Sequence, residues 1–169
     1  MLKKHCRENR LTDAYLDIET TGLSPSWNQI TVIGVYIENG VDGKLVQLVG
    51  DAVTRDNLHN VLDGVHTIYT YNGSRFDLPF IRACLGTDLA SIYRHHDLMY
   101  DCWRRNLRGG FKAVEVQLGI PRKLRGLSGY DAVLLWYRYQ RNADRKALAT
   151  LLAYNREDVV NLKALRELL

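Results

Sequence analysis

The order of strand-like and helix-like segments is the feature of this sequence that most constrains its fold. Residues 14–19 form a short apolar run, residues 30–38 are rich in β-branched side chains, and residues 44–49 form a third apolar run. The sequence Asn39-Gly40 between the second and third runs is typical of a tight hairpin turn. The first part of the chain therefore predicts an antiparallel meander.

Beyond residue 50 the pattern alternates and then becomes helical. The predicted elements are, in order, a helix over 56–62, a strand over 67–71, a helix over 77–85, a fifth strand over 95–100, and helices over 112–118, 130–141 and 144–169. Gly86 and Gly119 are expected to end the helices that precede them. This order predicts an α/β domain with one mixed five-stranded sheet, in which the meander is followed by parallel strands, flanked by helices.

The chain has 169 residues, which predicts one domain over residues 13–169 behind a flexible leader at residues 1–12. A domain of this size can bury a core without metals, so a metal site is expected to serve function. The three cysteines are widely spaced and form no CxxC pair, which argues against a zinc or redox site. The polar, basic N-terminus has no apolar segment, so we expect a cytoplasmic protein with no membrane partner.

Two acids, Asp17 and Glu19, lie on the first predicted strand. Side chains at positions i and i+2 of a strand point to the same face, so the two carboxylates project together. Charges between the apolar residues Leu16 and Ile18 are costly unless a cation neutralises them. The alternative is an edge strand whose acids lie in water.

Further acids lie at helices. Asp77 follows a glycine-containing turn and begins a predicted helix, where an aspartate is also a common N-cap. Tyr154 and Asp158 are four residues apart on the last predicted helix and share one face. The alternatives are a packing tyrosine and a solvated aspartate.

Four acids on three segments can converge on one pocket, and convergent acids require cations because they repel one another. Oxygen ligands without histidine or cysteine indicate Mg²⁺ or Mn²⁺. Two such ions can activate a water molecule and stabilise the leaving oxygen in phosphodiester hydrolysis. The set therefore predicts a nuclease that uses two divalent ions.

Three motifs in order resemble those of the DEDD family of 3′–5′ exonucleases, which have a ribonuclease-H-like fold. The first is DIETTG at residues 17–22, and the second is NGSRFD at residues 72–77, in the form seen in proofreading domains of family B DNA polymerases. The third is YNRED at residues 154–158, the tyrosine version, since Ala153 stands where the other version has histidine. The resemblance spans residues 14–169 and is to stand-alone exonuclease domains, because the chain is too short to contain a polymerase.

The resemblance implies a role for each residue of the set. Asp17 would bridge two ions, Glu19 and Asp158 would hold the ion that carries the attacking water, and Asp77 would act at the second ion directly or through water. Tyr154 would orient the attacking water. Substrate-binding residues are predicted to be Thr20, Asn72, Phe76 and Lys112. The expected substrate is the 3′ end of single-stranded nucleic acid, with DNA favoured over RNA.

The charge distribution supports a polyanionic partner. The formal net charge is +4 and the sequence pI is about 9.0, although the candidate site is acidic. Basic residues are frequent between Arg94 and Arg125, which predicts a track for a phosphate backbone beside the metals. Trp103 and Phe111 within this segment are candidates for base stacking, although packing is the commoner role.

His95 and His96 face opposite ways as strand neighbours, so they cannot both serve one site, and structural or surface roles are favoured. Asp97 is the best candidate of this cluster to support the site. An alternative function is a catalytically inactive ribonuclease-H-like module that binds nucleic acid, and a third is an interaction domain whose acids are ordinary surface charge. The intact set of acids favours the enzyme.

Overall fold

The computed structural model describes residues 12–38 and 43–169. Cys6, the predicted turn at Asn39-Gly40 and residues 1–11 of the predicted leader lie outside the described residues. The strands are β1 (Thr12–Thr20), β2 (Ile30–Glu38), β3 (Gly43–Val49), β4 (Val65–Thr70) and β5 (Arg94–Asp97). The helices are α1 (Arg55–Val61), α2 (Asp77–Leu85), α3 (Leu89–Ile92), α4 (Leu98–Arg104), α5 (Phe111–Leu118), α6 (Gly129–Asn142) and α7 (Arg145–Leu168).

The strands form one five-stranded sheet in the order β3-β2-β1-β4-β5. β1 is antiparallel to β2, and β2 is antiparallel to β3, an arrangement that needs no crossover between the strands. β4 runs parallel to β1, and β5 runs parallel to β4. The predicted mixed sheet is thus confirmed, and β1 lies at its centre.

The two faces of β1 contribute to different parts of the core. Leu16 and Ile18 belong to a buried cluster that includes Leu58 of α1 and Phe80 of α2. Tyr15, on the opposite face, packs in a second cluster with residues of α4, α5 and α7. Because side chains alternate along a strand, Asp17 and Glu19 share the face of Tyr15, and this is the face that α7 covers.

The prediction of a strand over residues 95–100 was wrong in its second half. β5 ends at Asp97, and Leu98 begins α4. The Asp97 side chain accepts a hydrogen bond from the backbone N–H of Met99 at 3.2 Å, so Asp97 is an N-cap that starts a helix. The short helix α3 was not predicted from the sequence. Within residues 12–38 and 43–169, no helix is both long and apolar enough to cross a membrane.

Candidate active site

Three carboxylates meet where the end of β1 passes beneath α7. One ligand atom from each of Asp17, Glu19 and Asp158 can be chosen so that all lie within 4.8 Å of one another. Glu19 and Asp158 are buried, and Asp17 is partly buried. The structure therefore brings together the strand pair and the acid of the last helix, from segments far apart in the sequence.

Asp77 lies beside this group but outside it. It is buried at the first position of α2, and its Oδ1 accepts a hydrogen bond from the backbone N–H of Ile18 at 3.1 Å. The N-cap of α2 is Phe76, and no side chain caps this helix. Asp77 is therefore hydrogen-bonded to the backbone of β1 and does not act as the N-cap that its position in the sequence suggested.

Tyr154 is buried one helical turn before Asp158. Lys112 of α5 donates a hydrogen bond to the Tyr154 hydroxyl, and its Nζ lies 4.3 Å from the centre of the tyrosine ring. Lys112 also donates to the backbone carbonyl of Leu127. The lysine predicted to bind substrate thus lies at the edge of the acidic cluster, in contact with the predicted catalytic tyrosine.

A buried arginine links Asp158 to α5. Arg122 donates from Nε and Nη2 to the two carboxylate oxygens of Glu115 at 2.8 Å each, and Nη2 also donates to Asp158. Asn161 of α7 completes this network by donating to Glu115 Oε1 at 2.7 Å. Sequence analysis placed Arg122 only in the predicted basic track and missed this network, because nothing in the sequence pairs Arg122 with a position 36 residues away.

Burial and mutual repulsion dominate the electrostatics of the acids. Burial, and then the neighbouring carboxylates, raise the pKa of Asp17 and of Glu19 well above the usual range. Burial also raises the pKa of Asp77 to about 7 and that of Asp158 to about 6, although Arg122 lowers the latter. Oε1 of Glu19 is buried and has no hydrogen-bond partner. Such a group is costly without a cation, so the donor set fits a divalent metal ion.

A cavity of about 600 Å³ opens over the acids. Its lining includes Asp17, Glu19, Asp77, Tyr154 and Asp158, the predicted substrate-binding residues Thr20, Asn72 and Phe76, and the apolar or aromatic side chains Leu23, Tyr71, Tyr130 and Val133. Lys112 lines an adjoining cavity of about 280 Å³, which shares the two acids Asp17 and Asp158. One cleft thus has an acidic floor and largely apolar walls.

Asp97 supports the turn that carries the second motif. Its Oδ1 accepts a hydrogen bond from the backbone N–H of Asn72 at 2.8 Å, and its Oδ2 accepts from that of Ser74 at 3.0 Å. Asn72 has a φ of +62°, a left-handed conformation that asparagine tolerates better than most residues. Asp97 therefore acts on the cleft through the backbone of this turn.

The histidines take no part in the acidic cluster. His95 Nε2 is hydrogen-bonded to the Thr70 hydroxyl at 2.9 Å, and His96 pairs with Asp101. The aromatic candidates for stacking are packed against neighbours: Phe111 stacks on Tyr71 at 5.1 Å, and Trp103 meets Tyr100 edge to face at 5.5 Å.

The predicted basic track is not continuous. Arg104 pairs with Asp101, and Arg105 donates to the backbone carbonyl of Leu168 at the last turn of α7. Leu168 lies ten residues beyond Asp158, which is roughly 15 Å along a helix. Within this segment, Lys112 lines the cleft, and Arg122 contacts Asp158 from behind it.

A family model described as the RNase H superfamily matches residues 14–169. No curated protein matches the chain. The fold is similar to that of a family B DNA polymerase from the hyperthermophilic archaeon Pyrobaculum calidifontis, with a TM-score of 0.64 and 15% identity over 90% of this chain and 24% of the polymerase. The chain therefore spans about a quarter of that protein's length.

A second similar structure is Brucella melitensis NrnC bound to pGG, with a TM-score of 0.60 and 18% identity over 94% of this chain and 73% of NrnC. A third, described as the apo form of a nuclease, has a TM-score of 0.57 and 22% identity over 92% of this chain and 70% of its own. At these identities the likeness establishes the fold, and it confirms the predicted ribonuclease-H-like architecture.

Proposed function

The chain belongs to the RNase H superfamily, and from this membership and its acidic cleft we propose that it is a metal-dependent 3′–5′ exonuclease of the tyrosine DEDD type. It would hydrolyse phosphodiester bonds at the 3′ end of single-stranded nucleic acid. The same proposal takes residues 13–169 as a single exonuclease domain.

The observation that carries this proposal is the convergence of Asp17, Glu19 and Asp158 with a partnerless buried carboxylate oxygen on Glu19. Ordinary surface acids are solvated and do not gather within 4.8 Å at a buried strand end. The arrangement disfavours the reading of this chain as an interaction domain with acidic surface charge.

The acidic cluster supports a divalent metal site, and we propose that it holds the two Mg²⁺ or Mn²⁺ ions that the family resemblance implies. Asp17, Glu19 and Asp158 would hold them, and Asp77, which lines the same cavity, would contribute directly or through water. When bound, such ions activate water and stabilise the charge on the leaving oxygen.

Tyr154 is suited to orienting the attacking water. Burial raises its pKa, so the hydroxyl keeps its proton at neutral pH and does not act as a base. Because its oxygen accepts from Lys112, its own O–H is directed elsewhere and can hydrogen-bond a water or phosphate oxygen. Lys112 would in turn place a positive charge beside the scissile phosphate.

The walls of the cleft suit an unpaired terminal nucleotide. The cavity of about 600 Å³ has aromatic and aliphatic side chains on which a base can pack, while Thr20 and Asn72 offer polar groups. We favour DNA over RNA because of the resemblance to proofreading domains of DNA polymerases.

One observation favours the alternative function, a nucleic-acid-binding module without catalysis. Arg122 already neutralises Asp158 from within the protein. In the catalytic account Arg122 instead orients Asp158 and leaves its other oxygen available to a cation.

The test uses matched DNA and RNA single strands labelled at the 5′ end, incubated with Mg²⁺ or Mn²⁺. We expect a ladder that shortens stepwise, faster on DNA, and that a blocked 3′ terminus abolishes. Internal cuts would contradict the proposed polarity, and tight binding without cleavage in either metal would favour the inactive module.

A further inference from the structure

A row of three residues crosses the sheet beneath α7. Asp17 of β1 pairs with Gly34 of β2, and Gly34 pairs with Gln47 of β3. Directly paired residues point to the same face of a sheet, so Asp17 and Gln47 both lie on the side that α7 covers. Neighbouring strands lie about 4.8 Å apart, so the backbones of Asp17 and Gln47, two strands apart, are separated by roughly 10 Å. The glycine between them leaves a gap.

Asn155 of α7 fills this gap. Its Nδ2 donates to the Asp17 Oδ2 at 3.1 Å and to the Asp17 backbone carbonyl at 3.4 Å. Its Oδ1 accepts from Gln47 Nε2 at 2.9 Å, and Asn155 is 0% exposed. A Cβ added to Gly34 would lie 2.1 Å from Asn155 Oδ1. A side chain at position 34 would therefore displace the amide.

The acceptors at both ends of this hydrogen-bonded row determine which way the amides of Gln47 and Asn155 are turned. Gln47 Nε2 also donates to the backbone carbonyl of Leu152 at 2.9 Å, and a carbonyl can only accept. Gln47 must therefore present its amino group, and Asn155 must turn its oxygen toward Gln47. The Asn155 amino group then faces Asp17, where it donates to the backbone carbonyl, which can only accept, and to Oδ2 of the side chain.

We propose that Asn155 is a positioning residue for Asp17, locked in orientation by Gln47 and accommodated by Gly34; this rests on the proposed metal-dependent function. The hydrogen bond fixes the rotation of the carboxylate and leaves Asp17 Oδ1 to ligate a cation. Partners that orient ligating carboxylates typically affect metal affinity or activity about 10–100-fold.

The test measures Mn²⁺ binding by calorimetry, without nucleic acid, in Asn155→Leu and Gln47→Leu. We expect about tenfold weaker binding in both. Gln47→Glu should weaken binding further, because a carboxylate at position 47 attracts the Asn155 amino group and turns its oxygen toward Asp17. Gln47 is only partly buried, so we expect its variants to fold, and they test the proposal even if Asn155→Leu does not fold.

The matched control is Gln117→Leu, which also removes an amide that donates to two backbone carbonyls, those of Arg108 and Ala113, and to none of the acids. It should bind Mn²⁺ as the wild type does. A positioning role further predicts that saturating Mn²⁺ restores cleavage by Gln47→Leu, which a purely structural defect would not allow.

Wild-type Mn²⁺ affinity in both leucine variants would overturn the positioning role while leaving the nuclease proposal intact. Equal weakening in Gln117→Leu would also overturn it, because the effect would not be specific to Asp17. A wild-type protein that binds no Mn²⁺ would overturn both proposals.

Discussion

Burial raises the pKa of each carboxyl group in the cleft. Asp17 and Glu19 follow one another at alternate positions of a central strand, and Asp158 reaches them from a buried helix face. Strand geometry alone placed the first two together, so this pair could be predicted from the sequence. The links through Arg122 and Asn155 could not, because they depend on contacts between residues 36 and 138 positions apart.

Tyr154→Phe is the sharpest test at the level of one side chain. Removing the hydroxyl should lower kcat about 100-fold, at the low end of what a positioned proton-transfer or orienting group supplies. Binding of Mn²⁺ and the melting temperature should change little, because the ring still packs under Lys112.

The control for this variant is Tyr137→Phe on α6, whose ring lies beside Arg141 and lines neither cavity of the cleft. Its kcat should match that of the wild type. A Tyr154→Phe enzyme with wild-type kcat would remove the hydroxyl from the mechanism.

At the level of elements, the turn between β4 and α2 depends on Asp97. Sequence patterns extended β5 past this residue, because a run of β-compatible side chains does not show that the aspartate caps a helix. The structure shows that one carboxylate both begins α4 and accepts from the turn that carries Asn72. Local patterns predicted the other helices and strands apart from the helices α3 and α4, and they misplaced the end of β5, where one side chain serves two neighbouring segments.

Asp97→Ala should lower the free energy of unfolding by about 3 kcal/mol. The backbone N–H groups of Asn72, Ser74 and Met99 lose their acceptor, each unpaired buried donor costs about 1–3 kcal/mol, and water that enters the space offsets part of this cost. KM should rise as well, because Asn72 and Phe76 lose their support. Denaturant unfolding and steady-state kinetics measure the two effects.

Asp97→Asn keeps one acceptor oxygen and should lose less stability than the alanine variant. Asp88→Ala, which removes only a surface ion pair with Arg82 at 3.4 Å, should change neither quantity. Equal stability of Asp97→Ala and wild type would refute the supporting role of this carboxylate.

Across the whole molecule, a positive net charge coexists with an acidic cleft whose ionisation opposes folding. Burial raises the folded-state pKa of Asp77 to about 7 and that of Asp158 to about 6, from an ordinary pKa of 3.8. Acids with a raised pKa contribute stability fully below their unfolded pKa, and this contribution is lost as pH rises through the folded-state pKa. In the presence of a chelator, the ionisation of these two groups should therefore lower the free energy of unfolding as the pH rises from about 4 to about 7.

Divalent cations should reverse this loss, because they bind the ionised carboxylates and compete with protons. The rise in melting temperature on adding Mg²⁺ should be larger at about pH 7.5 than at about pH 5. Asp158→Asn should reduce both the metal response and the pH dependence in chelator. A metal response that is equal at the two pH values would contradict this electrostatic account.

The central claim is that the clustered carboxylates hold the cations on which cleavage depends. The most direct measurement is the single-turnover rate of shortening of a 5′-labelled single strand, comparing wild type with Asp17→Ala in Mg²⁺ and Mn²⁺. If the clustered carboxylates hold these cations, the wild type should remove nucleotides stepwise from the 3′ end. Chelator or the substitution should slow this shortening about 1,000-fold, the upper end of what the loss of one group that stabilises transition-state charge costs. Equal rates for the two proteins would contradict the account.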